Sequence, residues 1–251
     1  MHILLTNDDG FASPLLAFLC RTVAAHGHRV TVSAPMTQQS AKGHSFTTTA
    51  PVLVRPGIME GADAAWLVDG TPVDCARLGL TELCGDHVDL VISGINNGWN
   101  TGLATYCSGT VGAAREAAFM GYPALALSAE PPIAMDTLQV GVEWALQLGE
   151  ALKEHPLPPH TLMNVNFPNC DVAHLQPPML CPISTVCYEY GHARYETPRG
   201  ETYFFSTPEH PAERHTPGSD ADLVRQGHIT LTLLGPRPVE EAPWKALLEE
   251  L

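Results

Sequence analysis

The first ten residues, Met1-His2-Ile3-Leu4-Leu5-Thr6-Asn7-Asp8-Asp9-Gly10, constrain the rest of the chain more than any other stretch. An apolar run rises straight from Met1 without polar alternation, so it reads as a strand buried on both faces, the kind found in parallel sheets covered by helices. It stops at two adjacent carboxylates and a glycine. In an open parallel sheet, ligands bind outside the carboxyl ends of the strands. Neighbouring aspartates repel each other unless a positive charge lies beside them, and a divalent cation is the simplest one. Successive side chains on a regular strand point to opposite faces, so Asp8 and Asp9 can converge only where the chain is already turning, a turn that Gly10 permits. Taken alone, residues 7–10 also read as an ordinary polar turn.

The segments that follow extend the same architecture. From Ser13-Pro14 to His26, Leu15, Leu19 and Val23 recur at helical spacing, and Gly27 ends the segment. Residues 29–34 read as a second strand stopped by Pro35, which completes a βαβ unit with its right-handed crossover. The first turn lacks G-x-G-x-x-G, which argues against a dinucleotide fold of the usual kind. Residues 36–49 form a polar loop with Gln38, Gln39, Ser40, Lys42, His44 and Ser45, long for a connection inside a compact domain. Short strands are expected at 52–54 and 65–68. Thr71, Pro72 and Asp74 then supply an N-cap, a first-turn proline and a capping-box acid for a helix reaching about Cys84.

A buried strand at 88–93 runs into Gly94-Ile95-Asn96-Asn97-Gly98-Trp99-Asn100-Thr101-Gly102, dense in glycine and asparagine. Ser108-Gly109-Thr110 opens a helix through Met120. Strands at 123–128 and 162–167 flank a helix whose stripe is Met135, Leu138, Val142, Ala145, Gly149 and Leu152. After residue 168 the texture changes. Prolines crowd 176–182 and 197–217, with Tyr188, Tyr190, Tyr195, Tyr203, Phe204 and Phe205 among them, which reads as extended hairpins projecting from the core. Such aromatic strands either pack back on their own chain or bury themselves on a partner subunit, and oligomerisation is the expectation here. A late strand at 228–234 and a helix at 240–251 finish the chain. The expected organisation is an α/β core over 1–168, a hairpin arm over 169–236 that rejoins it, and a terminal helix over 237–251.

Charge and cysteine usage narrow the function. The 251 residues carry a formal net charge of −14, which argues against capture of nucleic-acid polymers or anionic membranes. Seven scattered cysteines without C-x-x-C spacing fit free thiols of a reducing compartment. The N-terminus has no signal-like pattern and no run reaches membrane-spanning length, so a cytoplasmic location is expected.

Three loops fall at the carboxyl ends of expected parallel strands: Asp8-Asp9-Gly10, the Ser40/Ser45 loop, and the Asn96/Asn100 loop. Their carboxylate, hydroxyl and amide oxygens suit Mg²⁺, Mn²⁺ or Ca²⁺ and disfavour zinc or copper. The Ser-Gly-Thr entry to the 108–120 helix leaves free backbone N–H groups and the positive end of a helix dipole, a ready anion site to which Ser108 and Thr110 add hydroxyls. An ordinary serine N-cap accounts for the same residues. A cation held by acids beside an anion-binding helix is a phosphoryl-transfer arrangement.

The strings LLTNDDG (4–10), SAPMTQQSAKGHSFT (33–47), DGTPVDCARLG (69–79), DLVISGINNGWNTG (89–102) and SGTVGAAREAAFMGYPALALS (108–128) together closely resemble the SurE survival-protein nucleotidases. The match resumes more weakly at NVNFP (164–168) and PGSDADLVRQGHITLT (217–232). The resemblance implies a Rossmann-like, doubly wound, mostly parallel sheet with C-terminal β-hairpin extensions. It implies a metal-dependent phosphatase releasing phosphate from nucleoside 5′- and often 3′-monophosphates, with short polyphosphate trimmed by some members. The family's metal ligands fall on Asp8, Asp9, Ser40 and Asn96; one Mn²⁺ or Mg²⁺ per subunit is expected there, with Asp8 or Asp9 as the catalytic base. Its phosphate contacts fall on Asn100, Ser108, Gly109 and Thr110, with Ser45 nearby. It also implies a homodimer or homotetramer. Three positions depart from the family pattern: Cys107 stands where a tyrosine is usual, Ala41 replaces a glycine, and residues 230–234 lack a proline. Two rival readings of the same pocket are an aspartyl-phosphate route and a non-enzymatic nucleotide or phosphate sensor.

Overall fold

In the computed structural model, residues 1–185, 189–209 and 216–236 are described; the helix expected at 240–251 and Tyr188 lie outside them. The N-terminal run forms β1 (His2–Thr6), all five residues buried. Its alternation explains a sheet covered on both sides. Ile3 and Leu5 point into one apolar cluster, with α1 (Pro14–Ala25) and α4 (Met135–Ala151) packed over it. Leu4 points into the other, built on α3 (Gly109–Phe119), which also packs against α2 (Pro72–Leu78). The consecutive apolar residues Ile3, Leu4 and Leu5 are what burial on two faces demands.

The remaining main-sheet strands are β2 (Arg29–Pro35), β3 (Val54–Pro56), β4 (Ala64–Val68), β5 (Leu90–Asn97), β6 (Ala124–Ala129), β7 (Leu162–Phe167), β8 (Gln176–Leu180) and β11 (His228–Leu234). Their order across the nine-stranded sheet is β3-β4-β2-β1-β5-β6-β7-β11-β8. The pairs β4/β2, β2/β1, β1/β5, β5/β6 and β6/β7 are parallel, as are β11/β8; β3/β4 and β7/β11 are antiparallel. The chain therefore steps from β1 to β2 on one side and later to β5 on the other. That reversal is where the crevice of a doubly wound sheet opens.

Local sequence accounts for the helix ends. Ser13 caps α1 with Pro14 in the first turn, and Thr71 and Asp74 make a reciprocal capping box on α2, followed by a π-helical turn Gly79–Leu83. Ser108 caps α3 through Val111 N–H. One expectation needs correcting: 176–180 does not project as part of a hairpin but runs as the exposed edge strand β8, parallel to β11. The antiparallel hairpin is β9 (Glu189–Glu196) with β10 (Thr202–Glu209), and it exposes Tyr195, Tyr203, Phe204 and Phe205. A short helix, α5 (Asp220–Arg225), precedes β11 and was not apparent in the sequence pattern. No helix among the described residues is long and apolar enough to cross a membrane.

Candidate active site

Beyond β1 the chain turns at once, and Asn7 shapes the turn. Its fully buried side chain donates to Gly10 O (3.0 Å) and accepts Gly10 N–H (3.2 Å), while Gly10 adopts φ 96°, a conformation suited to glycine. The turn swings Asp8 and Asp9 toward a cavity of about 240 Å³ at the β1/β5 edge. Asp8, Asp9, Ser40, Asn96, Asn100 and Ser108 all line it, so residues from four separate loops meet at one place. Gln38, Ala41, Asn97, Leu103, Ala104 and Cys107 complete the wall.

Asp8 is buried and tied to α3. Thr110 donates its hydroxyl to Asp8 Oδ1 in a short bond. A Cβ added to Gly109 would lie 2.8 Å from Asp8 Cβ and 3.0 Å from Oδ2, so only glycine lets the helix start this close. Burial pushes the Asp8 carboxyl up to about 6, against the pull of the Thr110 hydroxyl; the Asp9 charge adds to the rise and backbone N–H groups, including that of Thr110, oppose it. Burial likewise raises Asp9, whose Oδ2 accepts Asn97 N–H (3.1 Å). Among the described residues, neither carboxylate has an ion-pair partner. Two desolvated acids facing one cavity without a cationic side chain are the electrostatic form of a cation site.

The donor set fits a hard dication. Asn96 donates its amide N–H to Gly98 O (2.7 Å), which orients the side chain, and Ser40 carries an exposed hydroxyl. No group of three or more His, Cys, Asp or Glu side chains suited to a metal occurs among the described residues. What converges here is two carboxylates with neutral oxygens, a donor set that suits a hard dication.

The long 36–49 loop is held from several sides. Gln39 N–H donates to Asp8 O (2.7 Å) and Gly43 N–H to Cys107 O (2.9 Å). His44 Nε2 lies 2.7 Å from Glu116 Oε2 on α3, so its ring is turned to that helix and does not line the cavity. Ala41 sits at φ 57°, a left-handed conformation that disfavours a Cβ.

Not every expected phosphate contact faces the cavity. Ser45 turns its hydroxyl to Lys42 O (2.8 Å) and does not line the cavity, while the fully buried Thr110 is committed to Asp8. Asn100 lines the cavity but gives an amide hydrogen to Ser128 Oγ (2.8 Å). Two contributions escaped the sequence pattern: the Asn7 clasp, and the wall formed by Leu103, Ala104 and Gln38. An asparagine directly after an apolar strand and three residues before a glycine is the sequence signal from which the first could have been found.

Fold and cavity together define a doubly wound α/β protein whose acidic ligand site lies at the reversal of strand order. The sequence matches the profile of survival protein SurE over residues 3–189. The chain belongs to the SurE family. It is 41% identical over 237 residues to the 5′-nucleotidase SurE of Solidesulfovibrio magneticus, covering 93% of this chain and 91% of the relative. The 5′-nucleotidase SurE of Gloeobacter violaceus is 35% identical, with 93% and 89% covered. The crystal structure of the SurE protein from Aquifex aeolicus superposes with a TM-score of 0.80 at 30% identity, over 99% of this chain and 100% of that one.

Proposed function

We propose that this protein is a 5′-nucleotidase, a divalent-cation-dependent phosphatase that hydrolyses nucleoside 5′-monophosphates, and also 3′-monophosphates and short polyphosphate. The observation that carries the reading is the pair of desolvated, uncompensated carboxylates sharing one cavity with Ser40, Asn96 and the N-cap of α3. The names borne by the SurE relatives support the nucleotidase activity.

Asp8, Asp9, Ser40 and Asn96 would hold one Mn²⁺ or Mg²⁺. When bound, the cation supplies Lewis-acid polarisation of the phosphoryl group and eases deprotonation of the attacking water. Ser108 and Asn100, which line the same cavity, orient the phosphate beside the positive end of α3. Thr110 and Gly109 act one step back: they bring that helix end against Asp8 and fix the carboxylate's rotamer. Asp8 or Asp9 takes the proton of the attacking water. The nucleoside leaves along Leu103, Ala104 and Cys107, a wall with little charge of its own. Exposed aromatic side chains on β9 and β10 suit burial against a second subunit, in a homodimer or homotetramer.

The test is phosphate release from AMP after stripping with EDTA, with and without added Mn²⁺. Metal-restored release is expected. Asp9→Asn should lower it about 100-fold or more with the fold intact. Absence of metal-dependent release from any mononucleotide or polyphosphate would overturn the reading in favour of a binding-only protein.

A further inference from the structure

Residues 97–102 hang by their amides from partners far away in sequence. Asn97 N–H donates to Asp9 Oδ2 (3.1 Å), Gly98 N–H to Ala129 O (2.8 Å) and Trp99 N–H to Glu130 Oε2 (3.0 Å). Asn100 N–H donates to Asn166 Oδ1 (2.9 Å), and Gly102 N–H to Asp220 Oδ2 (2.8 Å). The Asn100 carbonyl accepts from Asn164 Nδ2 (2.9 Å) and Asn166 Nδ2 (3.2 Å). Asn166 thus presents to Asn100 the same paired donor and acceptor that a neighbouring strand would. Neither Asn166 nor Asp220 lines the cavity, and both are wholly buried.

Asp220 joins more than the loop. Its other oxygen accepts Ser184 N–H (2.7 Å) and Ala221 N–H (2.8 Å). One carboxylate therefore fixes both the end of the site loop and the segment that precedes the β9/β10 hairpin. The buried amides of Asn100 and Gly102 restrict the loop most, because moving either N–H off its acceptor leaves it unpaired away from water. Asp220 also lies outside residues 3–189, the part that matches the family profile.

We propose that Asn166 and Asp220 are positioning residues for phosphate release: they set the loop that follows Asn96 and carries Asn100, and the site is incomplete without the C-terminal segment that brings Asp220 to Gly102. The proposal rests on the nucleotidase reading for its kinetic consequence and on the hydrogen-bond geometry alone for its structural one.

The experiment compares full-length wild type with Asp220→Asn and Asn166→Asp. Asp220→Asn turns an acceptor-only group into one with two donors facing three N–H groups; Asn166→Asp keeps the acceptor for Asn100 N–H and removes the donor to its carbonyl. Hydrogen exchange of the 97–102 amides is read without metal or substrate, alongside kcat and KM for AMP with Mn²⁺. Amide exchange in this loop, and for Asp220→Asn also at Ser184 and Ala221, should become roughly tenfold faster with the rest of the chain unchanged. The kcat per folded molecule should fall about tenfold or more, since a displacement near 1 Å is enough for such a loss. A merely structural role would lower the folded fraction and leave kcat per folded molecule unchanged. Unchanged loop exchange, or wild-type kcat, in either folded variant overturns the proposal; should Asp220→Asn fail to fold, Asn166→Asp alone decides it. Were wild type itself inactive, the nucleotidase reading would fail while the exchange data still judged the loop.

Discussion

Thr110 donates its hydroxyl to Asp8 Oδ1 across 102 positions of sequence, joining the first turn of α3 to the end of β1. This bond opposes the upward push that burial exerts on the Asp8 carboxyl. A cation at Asp8 competes with a proton, so Mn²⁺ affinity should fall as pH drops through about 6. Thr110→Val removes the stabilising donor, and the midpoint of that fall should move upward by about one pH unit, the equivalent of a charge-assisted hydrogen bond of about 1.5 kcal/mol. Mn²⁺ titrations between pH 5 and 8 check both directions.

The same carboxyl makes a stability prediction for the metal-free protein. Its folded value, about 6, lies above the ordinary 3.8, so the folded state holds a proton that the unfolded state has already lost between those values. Stability from this group is therefore full below the ordinary value and declines as pH rises to about 6. Asp8→Asn removes the penalty. The variant should be more stable than wild type at pH 7–8, by on the order of 1–3 kcal/mol, and no better near pH 4. Urea unfolding at the two pH values, in the presence of EDTA, reads the difference. A smaller gain with Mn²⁺ present is expected, because bound cation stabilises only the wild type.

Asp74 behaves in the opposite sense. Burial pushes its carboxyl up, but it accepts from Thr47 N–H (2.9 Å), Thr47 Oγ1 (2.7 Å), Thr71 N–H (2.9 Å) and Thr71 Oγ1 (3.1 Å), and the balance lies below the ordinary value of 3.8. Its contribution is present above that value and is lost as pH falls through the lowered one. Asp74→Asn should cost about 1–3 kcal/mol at pH 7 and progressively less on acidification below the ordinary value. It should also loosen residues 45–47, which Thr71 and Asp74 hold.

Ala41 follows Ser40 directly and carries φ 57°. A Cβ in that region costs roughly 1 kcal/mol or more relative to glycine, partly offset by glycine's greater freedom in the unfolded chain. Ala41→Gly should therefore raise stability by up to about 1 kcal/mol. A thermal melt in EDTA is the measurement, and a loss of stability would contradict the left-handed backbone.

Cys107 is exposed and lines the cavity, whereas Cys20, Cys75, Cys84 and Cys181 are buried. A maleimide should label Cys107 ahead of those four thiols, as read by peptide mass spectrometry, and the label should block phosphate release by filling the wall where the nucleoside leaves. The Cys107→Ser variant, whatever its own rate, should lose little more on the same treatment.

Short-range signals in the chain were enough for the skeleton of the fold. The unbroken apolar run of β1 announced a two-faced sheet, and Thr71-Pro72 and Ser108 marked helix starts, because capping and periodicity act within a few residues. The carboxylate pair and the oxygen-rich loops were visible for the same reason, and resemblance to SurE tied them to one chemistry. Tertiary structure alone decided which atoms face the cavity. Thr110 looked like a donor for phosphate and turns out to hold Asp8, and Ser45 looks to its own loop. Residues 176–180 carry prolines that suggested a projecting hairpin, yet an edge strand tolerates them. Asn166 and Asp220 act on Asn100 and Gly102 from 66 and 118 positions away. No local pattern announces such a partner, because a buried N–H is satisfied by whichever acceptor the packed sheet brings to it.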